Sequence, residues 1–315
     1  MNQAVPVNVS RLIHTGQVIV DLVMQIDALP APGGDVLAAN ALFAVGGGFN
    51  VMAAARRNRM HVVYAGGHGS GRFGDMARAA LEKEGVEIAG SQVTGEDTGL
   101  CVALVDARAE RTFVSHIGAE EMLERSVLDG LQVTQDDIVY VSGYSLMLAD
   151  KATVLLAWLE QLPAGTRVAF DPGPLVDAID AMLLERVLAR VSIWTSNRVE
   201  ASRFAKTEDL NAAFESIAAR LPADALTVVR DGARGCEMRV MGQRDHVPGF
   251  RVDAVDTNGA GDAHTGVLLA MLASGADART AAARANAAAA LAVTRHGPAT
   301  APDADEIDAF LDTRR

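Results

Sequence analysis

Lysine is nearly missing from this sequence. Of the 28 Lys and Arg among 315 residues, only Lys83, Lys151 and Lys206 are lysines. None follows a glycine-rich turn, so the chain has no G-x-x-x-x-G-K-S/T loop, and any phosphate it holds must meet backbone amides, metal ions or arginine. Basic charge is short overall, with 28 positive side chains against 40 negative ones and a net charge of -12. That balance argues against a nucleic-acid partner, whose phosphates call for clustered cations. Cysteine is scarcer still: Cys101 and Cys236 are too few for a disulfide framework and suit a reducing compartment. No apolar run reaches about 18 residues, so no membrane-spanning helix is expected. Residues 1–14 lack the charged-then-apolar order of a signal peptide, and the expected location is the cytoplasm. The seven histidines show no H-E-x-x-H or other ligand spacing, and none is assigned to a metal.

What is present is a globular composition, 50% hydrophobic and 22% charged, able to bury a large core. Short β-branched runs at 18–20, 62–64, 138–141, 168–170, 193–195 and 227–229 read as buried strands. Helical patterns at 73–84, 151–162, 183–189, 210–221 and 266–272 lie between them. Such alternation predicts an α/β fold, a mostly parallel sheet covered on both faces. Two stretches break the rhythm. Residues 24–44 carry turns at Pro30, Pro32 and Gly33-Gly34, and residues 99–118 read as strand, turn, strand around Asp106-Ala107. These are expected to form a small antiparallel flap inserted into the sheet's connections. With no repeat or long linker, residues 1–315 are expected to make one domain with lid segments at about 24–44 and 99–118. The alanine-rich tract 281–292 has the composition of a close-packed helix.

The segment Asp256-Thr257-Asn258-Gly259-Ala260-Gly261-Asp262 follows a strand-like stretch, 249–255, and precedes small and apolar residues at 263–272. Strand, glycine turn and helix in that order aim the amides of Ala260, Gly261 and Asp262 at one spot, where the helix start adds positive potential. The result is an anion hole suited to a transferring phosphoryl group. Asp262 sits beside it, where a carboxylate can accept a proton from an attacking hydroxyl. The plainer alternative makes Asn258 a helix cap and Asp262 a surface residue favoured by the dipole.

Other segments carry similar pairs of readings. Asn197-Arg198-Val199-Glu200 is a capping box by spacing. Arg230 ends the run 227–230 ahead of Gly232 and Gly235; its guanidinium either supplies charge to a phosphate or is solvated. Gly46-Gly47-Gly48 before Asn50, with Asp21 upstream, lets backbone approach a ligand whose hydroxyls Asp21 and Asn50 can pair, or else Asn50 caps a helix. Tyr144, just after the run 138–141, is either a pocket residue or a core tyrosine.

Asp-Thr-x-Gly-Ala-Gly-Asp resembles the C-terminal signature of the ribokinase-like, or PfkB, family of carbohydrate kinases, and the resemblance runs from about Gly16 to Asp305. It implies a three-layer α/β/α ribokinase-like fold and an ATP-dependent kinase that phosphorylates a primary hydroxyl of a small sugar or sugar-like metabolite. Asp262 is then the general base, and Gly259, Ala260 and Gly261 form the anion hole. Asp21, Gly47, Gly48, Asn50 and Tyr144 fall at the acceptor. Asn197 and Glu200 fall near phosphate, with Glu200 reaching Mg²⁺ through water, and Arg230, Gly232, Gly235 and Asn286 fall around the nucleotide. A monovalent cation, expected to be potassium, is implied at Asp256, Asn258, Ala292 and Gly297, and a homodimer through the lids is implied by analogy. The chain also departs from the pattern. Met52 and Arg59 replace small residues, Gly47 replaces a lysine, and Ile19 stands where ribokinases place a sugar-binding Asn. An acceptor end this apolar suits a nucleoside or modified sugar, so a nucleoside kinase of the same fold stands as the alternative, and a catalytically inactive sugar or nucleotide sensor stands behind it. A phosphorylated acceptor is disfavoured by the missing lysines, with Arg111 the remaining clamp.

Overall fold

The computed structural model describes residues 10–108 and 110–314. Its main sheet has nine strands in the order Gln243–Pro248, Gly235–Val240, Leu226–Arg230, Ile193–Asn197, Arg167–Asp171, Ile138–Ser142, Arg11–His14, His61–Tyr64 and Glu87–Ile88. From Leu226–Arg230 to Glu87–Ile88 every pairing is parallel; the first two strands form an antiparallel hairpin at the edge.

Successive residues of a strand face opposite ways, and here both faces are buried. Leu12, Val62, Ile138, Tyr140, Ile193 and Val228 enter one core, while Ile13, Val63, Val139, Val141, Trp194 and Val229 enter the other. Burial on both sides is why these strands read as continuous apolar runs. Helices Phe49–Arg57, Arg72–Lys83, Ala260–Ala273, Ala278–Ala292 and Ala304–Asp312 close the first face, and Ala149–Leu159, Ala181–Leu188, Arg198–Ala205 and Leu210–Ala219 are among those that close the second. The architecture is the expected three-layer α/β/α fold. Among the described residues, no helix is long and apolar enough to cross a membrane.

A second sheet of four strands, in the order Asn40–Gly47, Val18–Gln25, Leu100–Val105 and Arg111–His116, forms the lid. It contains the two expected antiparallel hairpins, but they are joined in the middle by a parallel pairing from Val20–Leu100 to Gln25–Val105. Residues 18–20, expected inside the main sheet, belong to this lid. The main sheet instead begins with Arg11–His14, whose four residues open on an arginine and give little signal. Residues 249–255 also form no strand; the amides of Val255 and Asp256 both donate to the carbonyl of Val293 rather than to a neighbouring strand.

Packing is closest around the helix that starts at Ala260. Ala281, Ala282, Ala285, Ala287 and Ala288 are fully buried on Ala278–Ala292, as the composition predicts. On the other side, a Cβ at Gly266 would lie 2.5 Å from the Val51 carbonyl oxygen and 2.6 Å from the Ala54 Cβ. The helix carrying Asp262 is thereby seated directly on the helix carrying Asn50.

Candidate active site

The loop before helix Ala260–Ala273 turns at Gly259, whose φ is +71°. A Cβ there would lie 1.7 Å from the Pro298 carbonyl oxygen, so both backbone sign and space demand glycine. Gly259 is itself the N-cap, and no side chain caps the helix. The capping alternative for Asn258 therefore fails: its amide is turned back to Asp256 Oδ1 at 2.8 Å. An uncapped first turn is the electrostatic setting an anion needs.

Asp262 lies in that first turn, and its Oδ2 accepts a 2.9 Å hydrogen bond from Asn50 Nδ2. Asn50 is buried inside helix Phe49–Arg57, after the N-cap Gly48, so it is not a cap. Gly47 has φ +65°, and a Cβ at Gly48 would meet the His14 ring at 2.1 Å; the glycine turn lets the helix start close against the first strand. Burial pushes the Asp262 carboxyl up to about 6, with the Asp171 charge adding and the Asn50 bond and Arg230 opposing. Asp21, in the lid strand, is likewise pushed up to about 6 by burial and by the Asp262 charge, against Arg111. Tyr144 opens the short helix Gly143–Leu146 with its side chain beside Gly173. At 43% exposed it is a surface tyrosine and not a core one.

Arg230 is 11% exposed in its side chain. It donates to Thr195 Oγ1 at 2.7 Å, to Thr265 Oγ1 at 2.8 Å and to Asp171 Oδ2 at 3.3 Å from two nitrogens, and lies 3.5 Å from Glu200 Oε2. A Cβ on Gly261 would lie 3.5 Å from its Nη2, so the guanidinium sits beside the first turn of helix Ala260–Ala273 and the solvated reading fails. Asp171 escaped the sequence reading. It ends strand Arg167–Asp171, and its Oδ1 accepts the Gly173 amide at 3.1 Å. Its signal was Asp-Pro-Gly at the C-terminal end of a parallel strand, where α/β sheets gather their ligands. Thr195 and Thr265 were missed too, because each matters only through Arg230.

The Asn197–Glu200 capping box is present, with Glu200 Oε2 accepting the Asn197 amide at 2.7 Å and Asn197 Oδ1 accepting the Glu200 amide at 2.9 Å. The same Glu200 is buried and pushed up to about 7, chiefly by burial and the Asp171 charge, against Arg230 and the Asn197 amide. Oε2 alone serves the cap, so the carboxylate can serve cap and cleft together. Its oxygen chemistry fits a hydrated Mg²⁺, which keeps most of its waters. Gly232, at φ +58°, has open space where a Cβ would stand, while a Cβ at Gly235 would lie 2.1 Å from the Val247 carbonyl oxygen. That same carbonyl accepts a 3.0 Å bond from Asn286 Nδ2, which also reaches Pro248 at 3.2 Å. Asn286 and Gly235 thus meet at the edge hairpin.

Asp256 holds the loop from the other side. Its carboxylate accepts the amides of Asn258 at 2.8 Å and Gly297 at 3.0 Å and pairs with the guanidinium of Arg111 from the lid. Against the upward push of burial, these donors hold it below the usual carboxylate range. The Ala292 carbonyl accepts the Thr300 hydroxyl and the Arg295 amide, both at 3.1 Å.

A carboxylate beside an uncapped helix start, under a β lid on a three-layer α/β/α frame, defines a phosphotransferase of the sugar-kinase class. The pfkB family carbohydrate kinase description matches residues 10–305, and the chain belongs to that family. Its enzyme class is that of an ATP-dependent carbohydrate kinase. The chain is 32% identical over 305 residues to an uncharacterized sugar kinase, YegV, of Escherichia coli (strain K12), covering 93% of this chain and 91% of the relative. It is 29% identical over 307 residues to the ATP-dependent ribose-1-phosphate kinase of Halopiger xanaduensis, covering 96% and 99%. In fold it is similar to the ribokinase of Giardia lamblia, with a TM-score of 0.84 and 22% identity over 98% of this chain and 100% of that one.

Proposed function

We propose that the protein transfers a phosphoryl group from ATP to a primary hydroxyl of a small, uncharged sugar or sugar-like metabolite, with residues 1–315 acting as one kinase domain under a β lid. The observation that carries this is the Asn50–Asp262 bond at the start of helix Ala260–Ala273. Asn50 aims the carboxylate, and Asp262 takes the hydroxyl proton as the oxygen attacks. Gly259, Ala260 and Gly261 present the anion hole to the transferring group, with Arg230 adding charge from beside Gly261. Asp21, with the turn at Gly47 and Gly48, orients the acceptor, and Tyr144 flanks it. Asn197, Gly232, Gly235 and Asn286 line the nucleotide end. Mg²⁺, held through water near Glu200, would neutralise phosphate charge when bound.

A phosphorylated acceptor needs a cationic clamp. Arg111, the candidate, is already engaged by Asp256, which favours an uncharged acceptor. A nucleoside is the second reading, favoured by the exposed Tyr144 ring, an open surface for a base. The two free cysteines are buried, in keeping with work in the cytoplasm.

The test is ADP release from ATP and Mg²⁺ across free pentoses, hexoses, nucleosides and ribose 1-phosphate, with Asp262→Asn as the blank. One saturable neutral acceptor is expected, and Asp262→Asn should lose roughly 10² to 10⁴ in rate. Near wild-type turnover by Asp262→Asn would overturn the assignment of the base. Silence with every acceptor would leave the sensor reading standing.

A further inference from the structure

Asp256 sits six residues before Asp262 and pins the anion-hole loop to the turn after helix Ala278–Ala292 through the amides of Asn258 and Gly297. Resemblance to ribokinases leads one to expect a monovalent cation against this carboxylate. The groups around it do not fit one. A cation cage needs converging oxygens, yet Asp256 faces two N–H groups and a guanidinium. Gly297 presents its amide to the carboxylate, and the Ala292 carbonyl is taken by Thr300 and Arg295.

The guanidinium comes from the lid. Strand Arg111–His116 is exposed at every residue except Arg111, which is half-buried where it crosses to Asp256. Arg111 also opposes the upward push on Asp21 in the acceptor site. One fixed positive charge thus stands between the lid's acceptor ligand and the loop that forms the anion hole.

Resting on the kinase reading above, we propose that Arg111 is a positioning residue that takes the place of the monovalent cation. Its guanidinium supplies the counter-charge to Asp256 and does so only when the lid is down, which ties closure over the acceptor to the setting of the anion-hole loop. A diffusible cation would neutralise Asp256 whatever the lid did; a lid-borne one makes the loop conditional on closure. The wild-type enzyme is accordingly indifferent to potassium.

The experiment compares wild type, Arg111→Ala and Arg111→Lys in potassium or choline chloride at equal ionic strength, following ADP release with the best acceptor and, separately, thermal unfolding without substrates. Wild type is expected to show equal rates and equal Tm in both salts. Arg111→Ala is expected to lose roughly tenfold to a hundredfold in kcat, and millimolar guanidinium or potassium, but not choline, should restore part of the rate and raise its Tm. Arg111→Lys, which keeps the charge on a flexible stem, should fall between the two and serves if Arg111→Ala does not fold. A wild-type enzyme that needs potassium, or an Arg111→Ala enzyme with full kcat in choline, would overturn the proposal. The thermal arm reads the cation response even if no acceptor turns over, so failure of the kinase reading is distinguishable from failure of this one.

Discussion

Asp262 carries two opposed demands. As the proposed base it must be ionised at working pH, yet burial pushes its carboxyl from an ordinary 3.8 up to about 6. Acid should therefore switch the enzyme off early: kcat/KM is expected to fall about tenfold per pH unit below pH 6 and to flatten above it. A rate profile still flat at pH 5 would remove Asp262 from the role. The same shift has a stability sign. A carboxyl whose folded pKa lies above its unfolded value binds more protons when folded, so its stabilising contribution is full below about pH 4 and is lost as pH rises through 6. Asp21, also near 6, behaves likewise. Asp262→Asn is thus expected to be the more stable protein at pH 8, by on the order of 1 kcal/mol once water screening is allowed for, and no more stable at pH 4. Thermal scans of both proteins at the two pH values check this, and equal melting at pH 8 would contradict it.

At the scale of elements, the contact between helices Phe49–Arg57 and Ala260–Ala273 decides whether Asn50 reaches Asp262. Alanine in place of Gly266 would favour the isolated helix by roughly 0.5–1 kcal/mol. Its Cβ, however, would meet the Val51 carbonyl and Ala54, and overpacking of that kind costs about 1–3 kcal/mol. Gly266→Ala is expected to lower the urea midpoint and to reduce kcat more than ATP KM; an unchanged midpoint would show that the helices separate freely. The turn at Gly259 and the helix after it were legible in the sequence because their physics is local, a positive φ followed by a helix start. Strand Arg11–His14 and the edge hairpin Gly235–Pro248 were not. One is too short, and the other alternates charged residues along a partly solvated edge. The lid membership of Val18–Gln25 was hidden for another reason: its parallel partner lies some 80 residues on, at Leu100–Val105. Asp171 was hidden likewise, since its meaning comes from Arg230, 59 residues away.

At the scale of the molecule, the lid face turned away from Arg111 and Asp21 carries the cross-strand row Leu22, Val102 and Val114, with Val114 at 64% exposed. An unpaired apolar sheet face of this kind is suited to a second copy of itself. The protein is expected to be a dimer by light scattering at micromolar concentration, and Val114→Asp, at a site the fold does not bury, is expected to make it a monomer without lowering Tm by more than a few degrees. A wild-type monomer would refute lid-to-lid pairing. The root of that lid has its own consequence. The chain passes from strand Arg11–His14 to lid strand Val18–Gln25 through Thr15, Gly16 and Gln17, and returns at Gly48, whose amide is clipped to the Gln17 carbonyl at 2.7 Å. Outgoing and returning chain are fastened side by side, as the two plates of a hinge share a pin. Asp21 lies on the lid four residues beyond that pin, whereas Asn50 and Asp262 belong to the frame. On the proposed reading the acceptor pocket has one half on the lid and one on the frame, and an acceptor that touches both would hold them in register. A water molecule cannot span both halves, so on that reading ADP release from ATP and Mg²⁺ without acceptor is expected to be far slower than with it.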